Sequence, residues 1–240
     1  MSTCITVDGL TKSYAGRTVV DHLSFTVQKG EVFGLLGHNG AGKSTTIELL
    51  LGLKKPEQGK TTILGMKPAT NRKKLFERVG VQFQSSNYQC NIRVDEECQE
   101  RALLYAHPAD YRELLKRFGI EHLEKSPVNK LSGGEKQKLS VVLALVGKPE
   151  IVFLDELTTG LDVAARHEVW RTLKGLKEKG LTIFLTTHYM EEAENLCDHL
   201  CLMKNGRKVA EGTVQEIVAK SPYDNLENAY LWYMDEEVAL

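Results

Sequence analysis

The sequence predicts an α/β fold with a mainly parallel core sheet, an antiparallel β subdomain at the N-terminus and a helical subdomain inserted between sheet strands. Three observations carry that expectation. Near-continuous apolar runs, Val32-Phe33-Gly34-Leu35-Leu36, Ile151-Val152-Phe153-Leu154 and Leu181-Thr182-Ile183-Phe184-Leu185, have the pattern of strands buried on both faces of a parallel sheet. Ile5-Thr6-Val7 and Leu23-Ser24-Phe25-Thr26-Val27 instead alternate apolar with polar, as half-buried antiparallel strands do, and Lys29-Gly30 turns the chain after the second. From Gln84 to Val146 the pattern is mostly helical, over 96–105, 109–118 and 135–146.

The remaining elements follow in chain order. The first apolar run enters Gly37, and a helix over 44–51 leaves the glycine-rich segment, which makes strand, loop, helix. Helices over 164–179 and 189–197 follow the second and third runs. Leu200-Cys201-Leu202-Met203 and Arg207-Lys208-Val209-Ala210 flank Lys204-Asn205-Gly206, and Asn-Gly is the strongest short hairpin signal. The tail Ala229-Tyr230-Leu231-Trp232-Tyr233-Met234 reads as a helix packed on the rest of the chain rather than a membrane contact.

Composition narrows the function classes. At 240 residues, 42% hydrophobic and 26% charged, the chain reads as one soluble globular unit with subdomains. Thirty-one Lys plus Arg against thirty-two Asp plus Glu give no global electrostatic reason to expect nucleic acid or anionic lipid as the main partner. The basic stretch Asn71-Arg72-Lys73-Lys74 reads as a solvated helix face. No apolar run approaches the ~20 residues that span a bilayer, and Met1-Ser2-Thr3-Cys4 has neither the basic region nor the apolar core of a secretory signal. A cytoplasmic chain is expected. Five cysteines without a CxxC pair argue against a disulfide framework. Cys197, His199 and Cys201 could offer three metal ligands, but their spacing at a helix-to-strand transition favours buried or half-buried thiols.

Two glycine-rich segments carry the chemistry. Gly37-His38-Asn39-Gly40-Ala41-Gly42-Lys43-Ser44-Thr45 matches G-x-x-x-x-G-K-[ST] between an apolar strand and a helix, the context the pattern requires. Glycines let successive N–H groups turn inward on phosphate oxygens, and the helix adds its positive N-terminal end. Lys43 is expected to bridge the β- and γ-phosphates, Ser44 to give its hydroxyl to Mg²⁺, and Thr45 to reach the α-phosphate. Leu131-Ser132-Gly133-Gly134-Glu135 is the second such loop opening onto a helix. One nucleotide needs one cradle, so the pair suggests two halves of a shared site and a dimer with ATP in its seam. Asp155 and Glu156 end the strand 151–154, where open parallel sheets bind ligands. Asp155 is placed to orient Mg²⁺ through its water shell, and Glu156 to polarise the attacking water; a plain surface pair is the alternative.

With these residues in hand, the chain resembles the ATP-binding cassette (ABC) ATPases, P-loop NTPases whose signature is LSGGQ or LSGGE. Here it reads Leu131-Ser132-Gly133-Gly134-Glu135-Lys136-Gln137. Gln84, after Val79-Gly80-Val81-Gln82-Phe83, matches the glutamine loop; Gly160-Leu161-Asp162 matches the D-loop; Thr186-Thr187-His188 matches the switch histidine. Tyr14 resembles the aromatic that stacks on adenine, with packing as the alternative. The chain departs from the family at Leu157 and His38, both positions where Pro is common, without losing a donor or ligand.

The resemblance implies one ABC domain: residues 1–84 and 147–212 as RecA-like core plus antiparallel β subdomain, 85–146 as helical subdomain, and 213–240 as a helical tail. It implies two cassettes paired head to tail, as a homodimer, so that Ser132, Gly133 and Gly134 of one chain close over ATP held by Lys43 of the other. Gln84 would touch Mg²⁺ or the attacking water, His188 would hold the γ-phosphate and Glu156, and Asp162 would line the dimer seam, with helix capping as its alternative. Thr186-Thr187-His188-Tyr189-Met190-Glu191-Glu192-Ala193-Glu194 and Asn225-Leu226-Glu227-Asn228-Ala229-Tyr230-Leu231 resemble cassettes of drug, antibiotic and lantibiotic-immunity exporters, which work beside a separate permease on the inner face of the cell membrane. Importer cassettes commonly run on into a longer C-terminal domain, whereas this sequence stops at Leu240. The polar segment 85–94 is the expected coupling region. The alternatives are an importer cassette, a soluble ABC ATPase acting on DNA or ribosomes, and a regulator that binds nucleotide without hydrolysing it.

Overall fold

The computed structural model describes residues 2–84 and 88–235. Residues 85–87, at the start of the expected coupling segment, and 236–240 of the tail lie outside the described residues. In chain order the elements are β1 (Thr3–Tyr14), β2 (Arg17–Gln28), β3 (Val32–Leu36), α1 (Lys43–Leu50), β4 (Gln58–Ile63), α2 (Pro68–Phe76), β5 (Val79–Gln82), α3 (Val94–Ala102), α4 (Tyr111–Arg117), α5 (Gly133–Leu145), β6 (Ile151–Asp155), α6 (Val163–Lys177), β7 (Thr182–Thr187), α7 (Met190–Leu196), β8 (His199–Lys204), β9 (Arg207–Gly212), α8 (Val214–Ala219) and α9 (Leu226–Tyr233). The chain divides into two compact units, Met1–Leu75 with Phe184–Leu240, and Phe76–Ile183.

In the first unit β1 is the centre of an antiparallel sheet, paired with β2 and with β4. Both hairpin strands run far beyond the alternating residues that signal them. Register shifts between Val7 and Leu10 and at Lys12, with His22 at φ 49 opposite, break the period of two, so periodicity reveals only the regular stretches. Strand β4 escapes the pattern for another reason. It is an edge strand that buries only Ile63, so polar residues suffice along most of its length. Strand β3 pairs in parallel with β8, which pairs antiparallel with β9 through the expected Asn205-Gly206 turn. Phe25, Phe33 and Phe184 stack with centroids 5.0–5.9 Å apart, and the His199 ring lies 5.8 Å from Phe33. The tail is helical, as expected: Leu226, Tyr230 and Met234 pack on Leu36, Leu200 and Leu202.

In the second unit β5 and β6 pair in parallel, Val79 opposite Ile151 through Gln82 opposite Leu154. Helices α3, α4 and α5 bury Val94, Cys98, Leu114, Leu115, Phe118, Leu139 and Val142. Helix α3 ends at Ala102 rather than continuing to 105, leaving Leu103 and Leu104 exposed. Helix α4 starts at Tyr111 because the Asp110 carboxylate accepts the Arg112 N–H at 2.9 Å and caps it. No helix among the described residues is long and apolar enough to cross a membrane.

The five cysteines are free thiols, and no group of three metal-ligating side chains occurs among the described residues. Cys4, Cys98 and Cys201 are buried and Cys90 is exposed. Burial, with help from Glu97 and Asp95, pushes the Cys98 thiol up to about 12. Burial also raises Cys197 and Cys201. Since the thiolate is the reactive form, iodoacetamide at mildly alkaline pH should alkylate Cys90 rapidly and the buried thiols only after denaturant is added, as read by intact mass. Rapid native-state labelling of Cys98 would contradict this packing.

Candidate active site

The phosphate loop belongs to the first unit and is built by β3 and α1. Gly42, at φ 104, is the N-cap of α1, so Lys43 is the first helical residue and Ser44 and Thr45 follow in the first turn. No acidic residue occupies that turn, which leaves its positive end, about half an elementary charge, uncompensated. The Lys43 side chain is buried and its Nζ donates to the carbonyls of Gly37 at 2.8 Å and His38 at 3.2 Å. His38 Nδ1 donates to the Asn39 carbonyl at 2.7 Å, which tightens the turn. Asn39 and Gly40 are exposed at the tip, and Ala41 is buried. Thr46 Oγ1 donates back to the Gly42 carbonyl at 2.9 Å.

His188 and Tyr14 are in the same unit. The Gly37 N–H donates to the Thr187 carbonyl at 3.3 Å, so the strand end carrying His188 is hydrogen-bonded to the start of the loop. The His188 ring lies 4.1 Å from the Tyr189 ring. Tyr14 ends β1 and is 38% exposed, with Lys12 Nζ at 5.2 Å and Lys54 Nζ at 5.1 Å from its ring centre. The Glu48 carboxylate and then the Tyr14 hydroxyl hold the Lys54 ammonium above its usual pKa. The two ammoniums over this half-exposed ring hold it by cation–π attraction.

The second unit carries the other nominated residues. Asp155 is the last residue of β6 and is buried. Glu156 follows at φ 51, a left-handed conformation that costs a non-glycine residue on the order of 1–3 kcal/mol. Its carboxylate accepts the Gln84 amide N–H at 2.7 Å. Two residues that the motifs do not nominate support this corner. Gln82 donates to the Phe83 carbonyl at 2.7 Å and more weakly to that of Asp155 at 3.4 Å, and Gln137 donates to the Leu157 carbonyl at 2.8 Å. The legible signal for Gln82 is a polar residue on a short, otherwise buried strand, where it must find a partner.

The signature segment corrects one expectation. It is not a loop preceding a helix that begins near Glu135, because α5 starts at Gly133 with Ser132 as its N-cap. A capping box explains the earlier start. The Ser132 N–H and Oγ donate to Glu135 Oε2 at 2.7 and 2.8 Å, and Ser132 Oγ accepts the Glu135 N–H at 3.3 Å. These bonds, from the Ser132 N–H first and its hydroxyl second, hold the Glu135 carboxyl below its usual range. The cap is therefore intact near neutral pH and loosens as acidification protonates Glu135. Gly133 needs its lack of a side chain for neither backbone nor packing, since its φ is not positive and a Cβ there would meet nothing within 4 Å. Asp162 is the N-cap of α6, its carboxylate accepting the Ala165 N–H at 2.8 Å. The structure thus joins Gln84 to Glu156 within one unit, joins the His188 strand to the phosphate loop within the other, and gives Asp162 a capping contact.

Known proteins resemble the chain at both levels. The ABC transporter family model matches residues 20–159. A Nod factor export ATP-binding protein I from Ralstonia nicotianae is 43% identical over 219 residues, covering 89% of this chain and 68% of its own length. The chain spans 63–70% of the length of the curated relatives it matches. An ATP-binding subunit of an ABC transporter superposes with a TM-score of 0.88 at 30% identity, covering 96% of this chain and 99% of its own. A dimeric post-hydrolysis ATP-binding cassette bound to ADP and Pi superposes at 0.79 with 24% identity, over 87% of this chain and 98% of its own, and shares the fold. With the phosphate loop and signature segment lying on these elements, the chain belongs to the ABC transporter family, as one of its ATP-binding cassettes, the ATPase component of such transporters.

Proposed function

We propose that the cassette hydrolyses ATP to drive export through a separate membrane-spanning permease, held at the cytoplasmic face of the membrane by that partner. The domain plan is the single ABC domain described above, with 85–146 as the helical subdomain and 213–240 as the tail. One observation carries the hydrolytic reading: Glu156 is held in a strained left-handed conformation at a strand end and hydrogen-bonded to Gln84. Strain of this kind persists where the surrounding structure imposes it, and it concentrates at sites of chemistry.

The roles follow from the residues. Lys43 releases the carbonyls of Gly37 and His38 and takes the β- and γ-phosphate oxygens, while the amides of residues 37–45 line the triphosphate. Tyr14 stacks on adenine. Glu156 accepts the proton of the water that attacks the γ-phosphorus as the bond to the bridging oxygen breaks, giving ADP and phosphate. Gln84 orients that water and Glu156, and His188 holds the γ-phosphate. Ser44, Gln84 and Asp155 offer only oxygen donors, the hard set that suits Mg²⁺. When bound, Mg²⁺ neutralises charge on the β- and γ-phosphates. Head-to-tail pairing of two copies is supported by Gly133, whose bare position at the N-terminus of α5 leaves open space for a phosphate on another chain. Asp162 joins that seam beside its capping contact. The export direction is supported by the relatives, which are named as export ATP-binding proteins.

Phosphate release by the purified chain tests the reading. ATP with Mg²⁺ should give turnover that chelation abolishes, and Lys43→Ala should lose both turnover and most ATP affinity. A wild-type chain that binds ATP but releases phosphate no faster than Lys43→Ala would overturn it.

A further inference from the structure

We infer that the β8–β9 turn is a strut that aims the phosphate loop, and that Lys204 is its positioning residue, anchoring the strut to the C-terminal helix. The inference rests on the reading of residues 37–45 as the ATP-phosphate site. It begins at a single backbone bond. The Gly206 N–H donates to the Ala41 carbonyl at 3.0 Å. A trans peptide is planar, with its C=O and the following N–H pointing in opposite directions. Fixing the Ala41 carbonyl on the turn therefore sends the Gly42 amide the other way, off the turn and available to a phosphate oxygen.

The clasp is too tight to slide. A Cβ on Gly42 would come 2.4 Å from the Val19 carbonyl oxygen, and one on Gly206 would come 2.6 Å from the same atom. Both residues have positive φ, 104 and 83, so both backbones take conformations that glycine alone adopts freely. The Asp21 N–H closes the arrangement by donating to the Gly206 carbonyl at 2.9 Å. One residue before the turn sequence Lys204-Asn205-Gly206, Met203 is fully buried behind the loop, its carbonyl oxygen 2.5 Å from where a Cβ of Gly37 would stand.

Lys204 ties this assembly to the tail. Its Nζ donates to the Met234 carbonyl at 2.6 Å and to the Asp235 carboxylate at 2.5 Å. The ammonium thus caps the negative C-terminal end of α9, where a cation is favourable. From α9 to the Gly42 amide there runs one chain of direct contacts: Met234 carbonyl, Lys204, the turn, Gly206 N–H, Ala41 carbonyl. None of these groups takes part in bond making. Their contribution is to the shape that meets ATP, which belongs in ground-state binding.

The test separates positioning from folding and from the ATPase reading itself. Lys204→Met should raise KM for ATP several-fold while kcat stays within about twofold of wild type, and should speed hydrogen exchange at the Gly206 amide. Lys204→Arg, whose guanidinium can donate to both the carbonyl and the carboxylate, should restore KM. If Lys204→Met does not fold, Asp235→Asn, which removes the charge of one exposed partner and leaves a neutral acceptor, should move KM the same way by a smaller factor. An unchanged KM, or a rise that Lys204→Arg does not reverse, overturns the inference while leaving the ATPase reading standing. Failure of the wild-type chain to bind ATP overturns both.

Discussion

Glu156→Gln slows phosphate release by about 10²-fold or more, the usual worth of a positioned base, while ATP binding stays near wild type. The amide has the shape of the carboxylate and removes only its capacity to take a proton. Lys43 grips phosphate through its own ammonium, so that grip should persist in the variant. The Gln84 contact at 2.7 Å should survive through the amide oxygen, which keeps an acceptor for the Gln84 N–H. The γ-phosphate then remains in place, and two chains held together by it should not part. Light scattering at saturating ATP and Mg²⁺ should report a dimer for the variant; a monomer that still binds ATP would count against an ATP-sealed pair.

Ser132→Arg abolishes hydrolysis and leaves ATP binding to its own chain near normal. The substitution removes the N-cap hydroxyl that accepts the Glu135 N–H, a loss of about 1 kcal/mol in helix stability. It also places a long side chain at the open N-terminus of α5. If that end closes over nucleotide held by another chain, the defect lies in trans. Mixing Ser132→Arg with Lys43→Ala should then restore about a quarter of wild-type sites, since random pairing makes half the dimers mixed and each mixed dimer has one intact composite site. Phosphate release measured across mixing ratios should peak at equal amounts. No activity at any ratio would sink the head-to-tail arrangement.

Acidity acts on the same element. Because Ser132 holds the Glu135 carboxyl below its usual range, the stabilisation it brings is present at neutral pH and is lost as pH falls through that lowered value. Circular dichroism of the wild-type protein and Glu135→Gln during acid titration should show the variant losing its pH dependence at this step.

Much of the fold is legible because burial imposes a pattern. The run 32–36 reads as a strand because both faces are covered, and β3 spans the same residues. The Asn205-Gly206 hairpin reads true because a turn of that kind needs positive φ, and both residues have it. Legibility falls where pattern and burial separate. Strands β1 and β2 outrun their alternation because bulges reset the register, β4 is an edge that buries one side chain, and α5 starts two residues early because a capping box, rather than the apolar spacing, decides its first turn.

Residue type and spacing along a few contiguous positions are enough to reveal a lysine and hydroxyls on a phosphate loop, a second glycine-rich segment, and an acidic pair at a strand end. Tertiary structure alone decided that Glu156 is strained and bonded to Gln84, that Gln82 and Gln137 steady the neighbouring backbone, and that a turn more than 160 residues downstream of Ala41 holds its carbonyl. Those are contacts between backbone groups and between residues distant in the chain. Every residue carries the same N–H and C=O, so no residue type announces which amide a carbonyl will meet; only the folded path of the chain does.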